Sequence, residues 1–209
     1  LIVREQGVGD EILFSSIYND LIKNNFSKIK IECDKRLLEI FNRSFNKNIF
    51  FPFGHYSSSN TALQEFDNIL YAGSLTKYFR NEESDFDIEP YIKTSDKLDK
   101  KFNSILKQFN EKKRIGISWK SVFNIFGSLK SLELNNFSKL YNQDRIFINL
   151  QYGNVIEEIN NFRESGRNIF SFDNVDLFDD FDSLISILKN LDVFVTVSNS
   201  TAHFAGALG

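Results

Sequence analysis

The segment from Ser198 to His203 has the residue types that could bind an anion. It follows residues 193–197, whose β-branched and aromatic side chains predict a buried parallel strand, and the small residues behind it predict a helix. The first N–H groups of a helix are unpaired and carry partial positive charge. A helix that begins directly behind a strand therefore predicts a phosphate site, where small side chains let the ligand come close.

A second strand–turn–helix segment lies at the start of the chain and carries acids. Residues 1–3 predict a strand, Gly7 and Gly9 predict a turn, and Asp10 opens a helix that continues to about residue 23. The third glycine of the dinucleotide-binding fingerprint is missing. Asp10 and Glu11 suit the positive end of a helix but would repel a phosphate there, and Glu11 is the expected capping acid. This turn predicts an oriented carboxylate at Asp10.

The elements that must position these residues form two series of alternating strands and helices. The first series has predicted strands at residues 28–33, 48–51 and 67–71 after the opening strand, and the second at 114–119, 145–150, 168–172 and 191–197. Helices are predicted to be capped by Asp34, Ser74 and Asp96, and to lie near residues 135–141, 155–163 and 179–190. The pattern lapses over residues 81–95. We therefore predict two doubly wound α/β domains, residues 1–95 and 96–209.

Composition excludes several classes of protein. With 25 Lys and Arg against 28 Asp and Glu, the net charge of −3 argues against a nucleic-acid partner. No apolar run approaches the roughly 20 residues of a membrane span. Cys33 is the only cysteine, so a disulfide within the chain is excluded and a reducing, cytoplasmic location is expected. His55 has no companion ligand and the acids of residues 173–182 are spread over a loop and a helix start, so no metal is expected.

The chain has the features of a fragment. It contains no methionine, begins inside a predicted strand, and stops at Gly209, where another strand is expected. We expect missing pieces at both ends and an incomplete second domain.

Six motifs follow one another in an order that resembles a known family. They are residues 5–14, residues 32–45, Gly73-Ser-Leu75 with Arg80, Gly116-Ile-Ser-Trp-Lys120, Leu150-Gln-Tyr-Gly153, and residues 198–209. Together they resemble the glycosyltransferase module of bacterial tetratricopeptide-repeat proteins, a relative of the family 9 heptosyltransferases. The resemblance covers nearly the whole chain.

The resemblance implies a GT-B fold of two Rossmann-like domains with the active site in the cleft between them. The acceptor, a glycan, lipid or protein, would bind mainly to the first domain and a nucleotide-diphosphate sugar mainly to the second. Such enzymes usually need no metal or other cofactor, so helix N-termini and basic side chains stabilise the leaving diphosphate. The parent chain would carry an N-terminal helical repeat domain.

The resemblance also implies roles for single residues. Asp10 matches the general base of an inverting transfer, on an acceptor-side loop with Gln6, Gly7 and Gly9. The expected donor-binding residues are Lys120, Lys130, Ser198, Asn199, Ser200, Thr201 and His203. Many heptosyltransferases have an acid where this chain has Ser198, so the donor need not be ADP-heptose.

Each role has a plainer alternative. Asp10 could only cap its helix, the lysines could be ordinary surface residues, and Ser200 and Thr201 could only cap the last helix while His203 packs on the sheet. The whole chain could be a non-catalytic nucleotide-sugar binding or scaffold module. A sugar-nucleotide epimerase would need more acid and base residues than the motifs supply.

Overall fold

The computed structural model describes residues 1–24, 26–86, 89–121 and 127–209. The chain forms two compact units, Leu1–Lys93 together with Gly206–Gly209, and Thr94–Ala205. The division lies within the stretch 81–95 that separates the two predicted series, of which residues 87 and 88 lie outside the described residues. The last four residues group with the first unit.

The first unit is built on a parallel sheet of four short strands. The strands are β1 (Ile2–Val3), β2 (Ile31–Cys33), β3 (Phe50–Pro52) and β4 (Leu70–Tyr71), in the order β3-β2-β1-β4. The helices are α1 (Val8–Ser15), α2 (Tyr18–Lys23), α3 (Leu38–Phe45), α4 (Asn60–Leu63) and α5 (Thr76–Phe79), with 3-10 turns at Lys35–Leu37, Ala72–Leu75 and Glu83–Asp85. Ile2 pairs with Ile31 on one side and Leu70 on the other, which places β1 in the centre.

The helices of this unit pack on the sheet through an aromatic cluster. Tyr18, Phe41, Phe45 and Phe50 are buried, with ring centroids 5.4–5.9 Å apart in edge-on and tilted pairs. Each ring buries a large apolar area, and edge-on contacts add to the stabilisation. The cluster fixes α2 and α3 against β3.

Two helices predicted for this unit differ in the structure. The helix predicted from Asp10 to residue 23 is two helices, because Ser16 N and Ile17 N bond to Leu13 O and Phe14 O, three residues back, and so close a tighter turn before α2. The helix predicted behind Ser74 is a 3-10 turn followed by α5, and Ser74 does not cap it.

The second unit repeats the plan with longer strands. They are β5 (Lys113–Ser118), β6 (Arg145–Asn149), β7 (Ile169–Phe170) and β8 (Val193–Thr196), all parallel and in the order β7-β6-β5-β8. The helices are α6 (Asp96–Leu106), α7 (Gly127–Lys130), α8 (Ile156–Glu164), α9 (Phe181–Lys189) and α10 (Ser200–Leu208), with 3-10 segments at Lys107–Phe109 and Leu134–Leu140. Trp119, Phe147 and Phe162 lie in its core.

Three predictions for this unit need correction. Where a helix was predicted near residues 135–141, Leu134–Leu140 form a 3-10 segment, closed by bonds between residues three apart such as Tyr141 N to Ser138 O at 3.1 Å. The residue that precedes α6 is Ser95, and Asp96 is the first residue of that helix. Strand β8 was expected to be buried, but it is the last strand of the sheet among the described residues, and Val193 is 37% exposed.

Both sheets confirm the predicted α/β fold class. In each sheet the strand order reverses once, between β1 and β4 in the first unit and between β5 and β8 in the second. Ligands of open parallel sheets bind outside the carboxyl ends of the strands at such a reversal, called the switch point. Within the described residues, no helix is long and apolar enough to cross a membrane.

Candidate ligand sites at the carboxyl edges of the two sheets

The switch point of the second unit is organised by the side chain of Gln151, which follows β6. Its Oε1 accepts three hydrogen bonds from the end of β5 and the residues behind it, from Ser118 Oγ at 3.0 Å, Trp119 N at 2.8 Å and Lys120 N at 2.7 Å. Gln151 is 2% exposed. A single buried amide therefore fixes the path of the chain as it leaves the central strand.

Asn199 connects this segment to the start of α10. Its Nδ2 donates to Ser118 Oγ at 2.8 Å and to Lys120 O at 3.3 Å, and its Oδ1 accepts from Ala202 N at 3.2 Å. The last bond caps the helix, as an asparagine before a helix commonly does. Because its amide is occupied by protein groups, Asn199 shapes the site from behind.

The other predicted residues of this turn divide into open and enclosed side chains. Ser198 is exposed and Ser200 and His203 are half-buried, and within the described part of the chain their side chains make no hydrogen bond. Ser200 and His203 are three residues apart and share one face of α10. Thr201 is 1% exposed and its hydroxyl is buried without a partner among the described residues. A ligand at this turn would meet Ser198, Ser200 and His203, and only the backbone of Thr201.

Lys120 is paired inside the second unit. Its ammonium contacts Glu158 Oε1, while Trp119 Nε1 donates to the other oxygen of Glu158 at 2.8 Å. Lys120 and Glu158 line an open cavity of about 590 Å³ with Glu133, Asn135 and Asn161. The volume is within the range of small-molecule pockets, but Lys120 could bind a phosphate only by weakening its bond to Glu158.

Of the two lysines predicted to bind the donor, Lys130 is the more accessible to a ligand. It is the last residue of the single-turn helix α7, it is exposed, and the described residues include no ion-pair partner for it. The next residue, Ser131, accepts from Ser121 N at 3.0 Å through its Oγ and donates to Gly127 O at 2.7 Å. Lys130 can therefore meet an anion without breaking an existing pair.

In the first unit, the turn between β1 and α1 holds the predicted acceptor-side residues. Gln6 is exposed with φ of 60°, a left-handed conformation that costs a non-glycine residue about 1 kcal/mol. Gly7 N donates to Asp10 Oδ2 at 3.2 Å, so Asp10 is the acid that caps α1. Its other carboxylate oxygen has no hydrogen-bond partner among the residues described. Gly9 lies in the first turn of the helix.

Glu11 was expected to be the cap, and the structure shows that this is wrong. The side chain is 1% exposed, accepts from Asp34 N at 2.8 Å, and lies 2.7 Å from Arg4 Nη2. Burial raises the pKa of Glu11 to about 7, although the Asp34 amide and the Arg4 guanidinium both favour the charged form. Glu11 joins the ends of β1 and β2 beneath the turn that presents Asp10.

Glu5 occupies the switch point of this first sheet. Its Oε1 accepts a 2.6 Å hydrogen bond from Gly73 N, in the 3-10 turn that follows β4. Glu5, Gln151 and Glu158 had no predicted role. Glu5 and Gln151 are polar residues that each stand two positions after the end of a parallel strand. This position in the sequence could have predicted that both lie at the carboxyl edge of a sheet. Glu158 is the third residue of α8 and carried no such signal.

The described residues include no group of three or more His, Cys, Asp or Glu side chains that could hold a metal ion. Among the acids of residues 173–182, Asp180 caps α9 by accepting from Ser183 N at 2.9 Å, and Asp176 accepts from Phe178 N and Asp179 N. These carboxylates therefore bind backbone N–H groups of their own segment.

Comparison with known proteins supports the fold. No protein-family model matches the chain. The whole chain aligns with Protein FlbA of Caulobacter vibrioides at 24% identity over 232 residues, and it spans 38% of that protein's length.

A solved structure, that of E. coli ADP-heptose LPS heptosyltransferase II, matches 99% of the chain and 81% of its own chain, with a TM-score of 0.63 and 12% identity. The chain therefore has the α/β fold of this GT-B glycosyltransferase. At this level of identity the likeness establishes the fold alone.

Proposed function

We propose that the chain is a glycosyltransferase module that binds a nucleotide-diphosphate sugar on its second unit and transfers the sugar to an acceptor bound on its first. The observation that carries this proposal is the switch point of the second unit. There Gln151 and Asn199 lock the backbone, while Ser198, Ser200 and His203 stay open at the start of α10. The fold that the chain shares with heptosyltransferase II supports the same function.

In this proposal the donor diphosphate lies at the N-terminus of α10. Ser198, Ser200 and His203 donate to its oxygens, as do the first N–H groups of the helix. Lys130 adds the positive charge, and it is preferred over Lys120 because the latter is paired with Glu158. These groups stabilise the negative charge that grows on the diphosphate as its bond to the anomeric carbon breaks.

Asp10 is the general base of the proposed reaction. It takes the proton of the acceptor hydroxyl, whose oxygen attacks the anomeric carbon from the face opposite the diphosphate, so that the configuration inverts. The bond from Gly7 N holds one carboxylate oxygen and leaves the other for the acceptor. No metal takes part, since the helix N-terminus and Lys130 supply the electrostatic stabilisation.

The wider setting is also part of the proposal. We place the module in a reducing, cytoplasmic compartment, for which its single, buried cysteine is the support, and in a bacterium, for which the family resemblance of its motifs is the support. We also place it in a longer protein that carries a helical repeat region, for which the family resemblance of its motifs is the support.

A screen of nucleotide sugars against the full chain tests the function. Thermal shift with nucleoside diphosphates measures binding, and release of nucleoside diphosphate from the sugar donor measures turnover. We expect both to be detected for one class of donor. Binding without turnover for any donor would favour the non-catalytic module, in which Asp10 serves only as the cap of α1. Absence of nucleotide binding would contradict both functions.

A further inference from the structure

Glu5 is a carboxylate at the switch point of the first sheet that the proposed chemistry does not use. It follows β1, and its Oε1 accepts from Gly73 N at 2.6 Å in the turn behind β4. These are the two strand ends between which the strand order reverses. A ligand bound at this position would meet the Glu5 carboxylate directly.

The Glu5 carboxylate packs tightly against Gly73. A Cβ at position 73 would overlap Glu5 Oε1 and lie 3.0 Å from the Phe14 ring. Glycine at 73 therefore leaves the space that the carboxylate fills. A side chain held in this way loses little conformational freedom when a ligand binds, which favours affinity.

Only one oxygen of Glu5 is used by the protein. Among the described residues, Oε2 has no hydrogen-bond partner and the side chain has no ion pair, although it is half-buried. The neighbouring cation, Arg4, is engaged by Glu11 at 2.7 Å and approaches Asp34 at 3.6 Å. The second carboxylate of the turn, Asp10, adds to the negative charge. This edge therefore offers hydrogen-bond acceptors and charge that the described residues do not neutralise.

We propose that Glu5 Oε2 accepts a hydrogen bond from a hydroxyl of a neutral sugar, and that this sugar is the acceptor of the transfer. The inference rests on the proposed function and names its acceptor class. An ionised carboxylate only accepts hydrogen bonds, which suits a hydroxyl-rich ligand. A phosphorylated acceptor would face two carboxylates and be repelled. Lys35 and Lys77 are exposed but lie outside the two turns that frame Glu5.

Ligand-detected NMR titration of the full chain tests this directly. The probes are the methyl α-glycosides of glucose, galactose and mannose, with glucose 6-phosphate as the anionic counterpart. We expect at least one neutral glycoside to bind the wild-type protein and glucose 6-phosphate to bind more weakly. Glu5→Ala should weaken the neutral glycoside about ten-fold or more, the usual loss for a hydrogen bond to a charged group.

Two further variants alter the Glu5 carboxylate in other ways, so that the test does not depend on whether Glu5→Ala folds. Glu5→Gln retains an acceptor for Gly73 N–H but removes the charge, and Gly73→Ala keeps the carboxylate but displaces it, so both should weaken glycoside binding. Glu39→Gln, an exposed acid of the same unit, is the matched control and should bind as the wild type does.

Three outcomes would overturn the proposal: no neutral glycoside binds the wild type, glucose 6-phosphate binds more tightly, or Glu5→Ala and Glu5→Gln leave affinity unchanged. Nucleoside diphosphate affinity, measured on the same samples, separates this proposal from the proposed function. Loss of glycoside binding in the Glu5 variants with nucleotide affinity intact supports the assignment. Glycoside binding through Glu5 without any nucleotide binding would uphold a sugar site and contradict the glycosyltransferase.

Discussion

The side-chain amide of Asn199 lies 2.8 Å from Ser118 Oγ and joins the turn behind β8 to the end of β5. The same nitrogen donates to Lys120 O, and the amide oxygen accepts from Ala202 N in the first turn of α10. Asn199 is 7% exposed. One buried side chain thus holds the two strand ends of the switch point together and caps the helix proposed to bind the diphosphate.

Asn199→Ala should lower the free energy of unfolding by about 1–3 kcal/mol, because the cap is lost and Lys120 O loses a donor. Asn199→Ser should cost less, since a serine hydroxyl still caps the helix. Urea denaturation measures both. Ser198→Ala is the control and should change stability by less than about 0.5 kcal/mol, because Ser198 is exposed and makes no hydrogen bond among the described residues. Equal stability of Asn199→Ala and wild type would contradict the role given to Asn199.

The order of strands and helices could be predicted from the sequence, but several local details could not. Buried parallel strands are short apolar runs between polar turns, and the chain shows two series of these. The break between α1 and α2 lies at a turn where Ser16 N and Ile17 N bond to carbonyls three residues back. Whether residues 134–140 form an α-helix or a 3-10 segment depends on whether the backbone bonds join residues four or three apart, and here Tyr141 N bonds to Ser138 O. In both places the apolar residues keep a spacing that fits a helix, so the pattern of the sequence does not reveal the change in backbone bonding.

The two turns that carry the candidate site residues follow strands that the sequence predicts, and the roles of these residues stay predictions. The glycine turn and the start of α10 were identified from residue types alone. The partners of Glu11 and Lys120 were not, because Arg4, Asp34 and Glu158 come from other elements and meet them only in the folded chain. For the same reason the helix cap was assigned to Glu11 and not to Asp10, since the contacts that bury Glu11 come from Arg4 and Asp34.

Asp10→Asn should reduce the rate of transfer about 10²–10⁴-fold while leaving donor affinity unchanged. Asparagine retains an oxygen for Gly7 N–H, so α1 keeps its cap, but it takes no proton from an acceptor. The rate is measured as sugar transferred, and affinity by donor titration. Asp96→Asn, an exposed acid in the first turn of α6, is the matched control. Turnover of Asp10→Asn at the wild-type rate would end the assignment of the base.

Lys130→Ala should weaken nucleoside diphosphate binding about ten-fold, because a charge-assisted contact to phosphate is typically worth 1.5–3 kcal/mol when partly desolvated. The loss should shrink as salt is added, since an exposed ammonium is screened. Isothermal titration calorimetry at two salt concentrations measures both effects. Lys139→Ala removes another exposed lysine from the same unit and should leave the affinity unchanged. Equal affinities of the two variants would reject the role of Lys130.

Glu11→Gln should remove a pH dependence of stability between about pH 4.5 and 7. The folded pKa of Glu11, about 7, lies above its unfolded value, so the folded state binds the extra proton in this range. Its contribution is therefore full below about pH 4.5 and is lost as the pH rises through about 7, by roughly 3 kcal/mol, since one pKa unit corresponds to about 1.4 kcal/mol. Urea unfolding of both proteins at pH 5 and pH 7.5 measures the difference. Glutamine still accepts from Asp34 N–H, so the variant should fold. The same pH dependence in both proteins would show that Glu11 titrates normally.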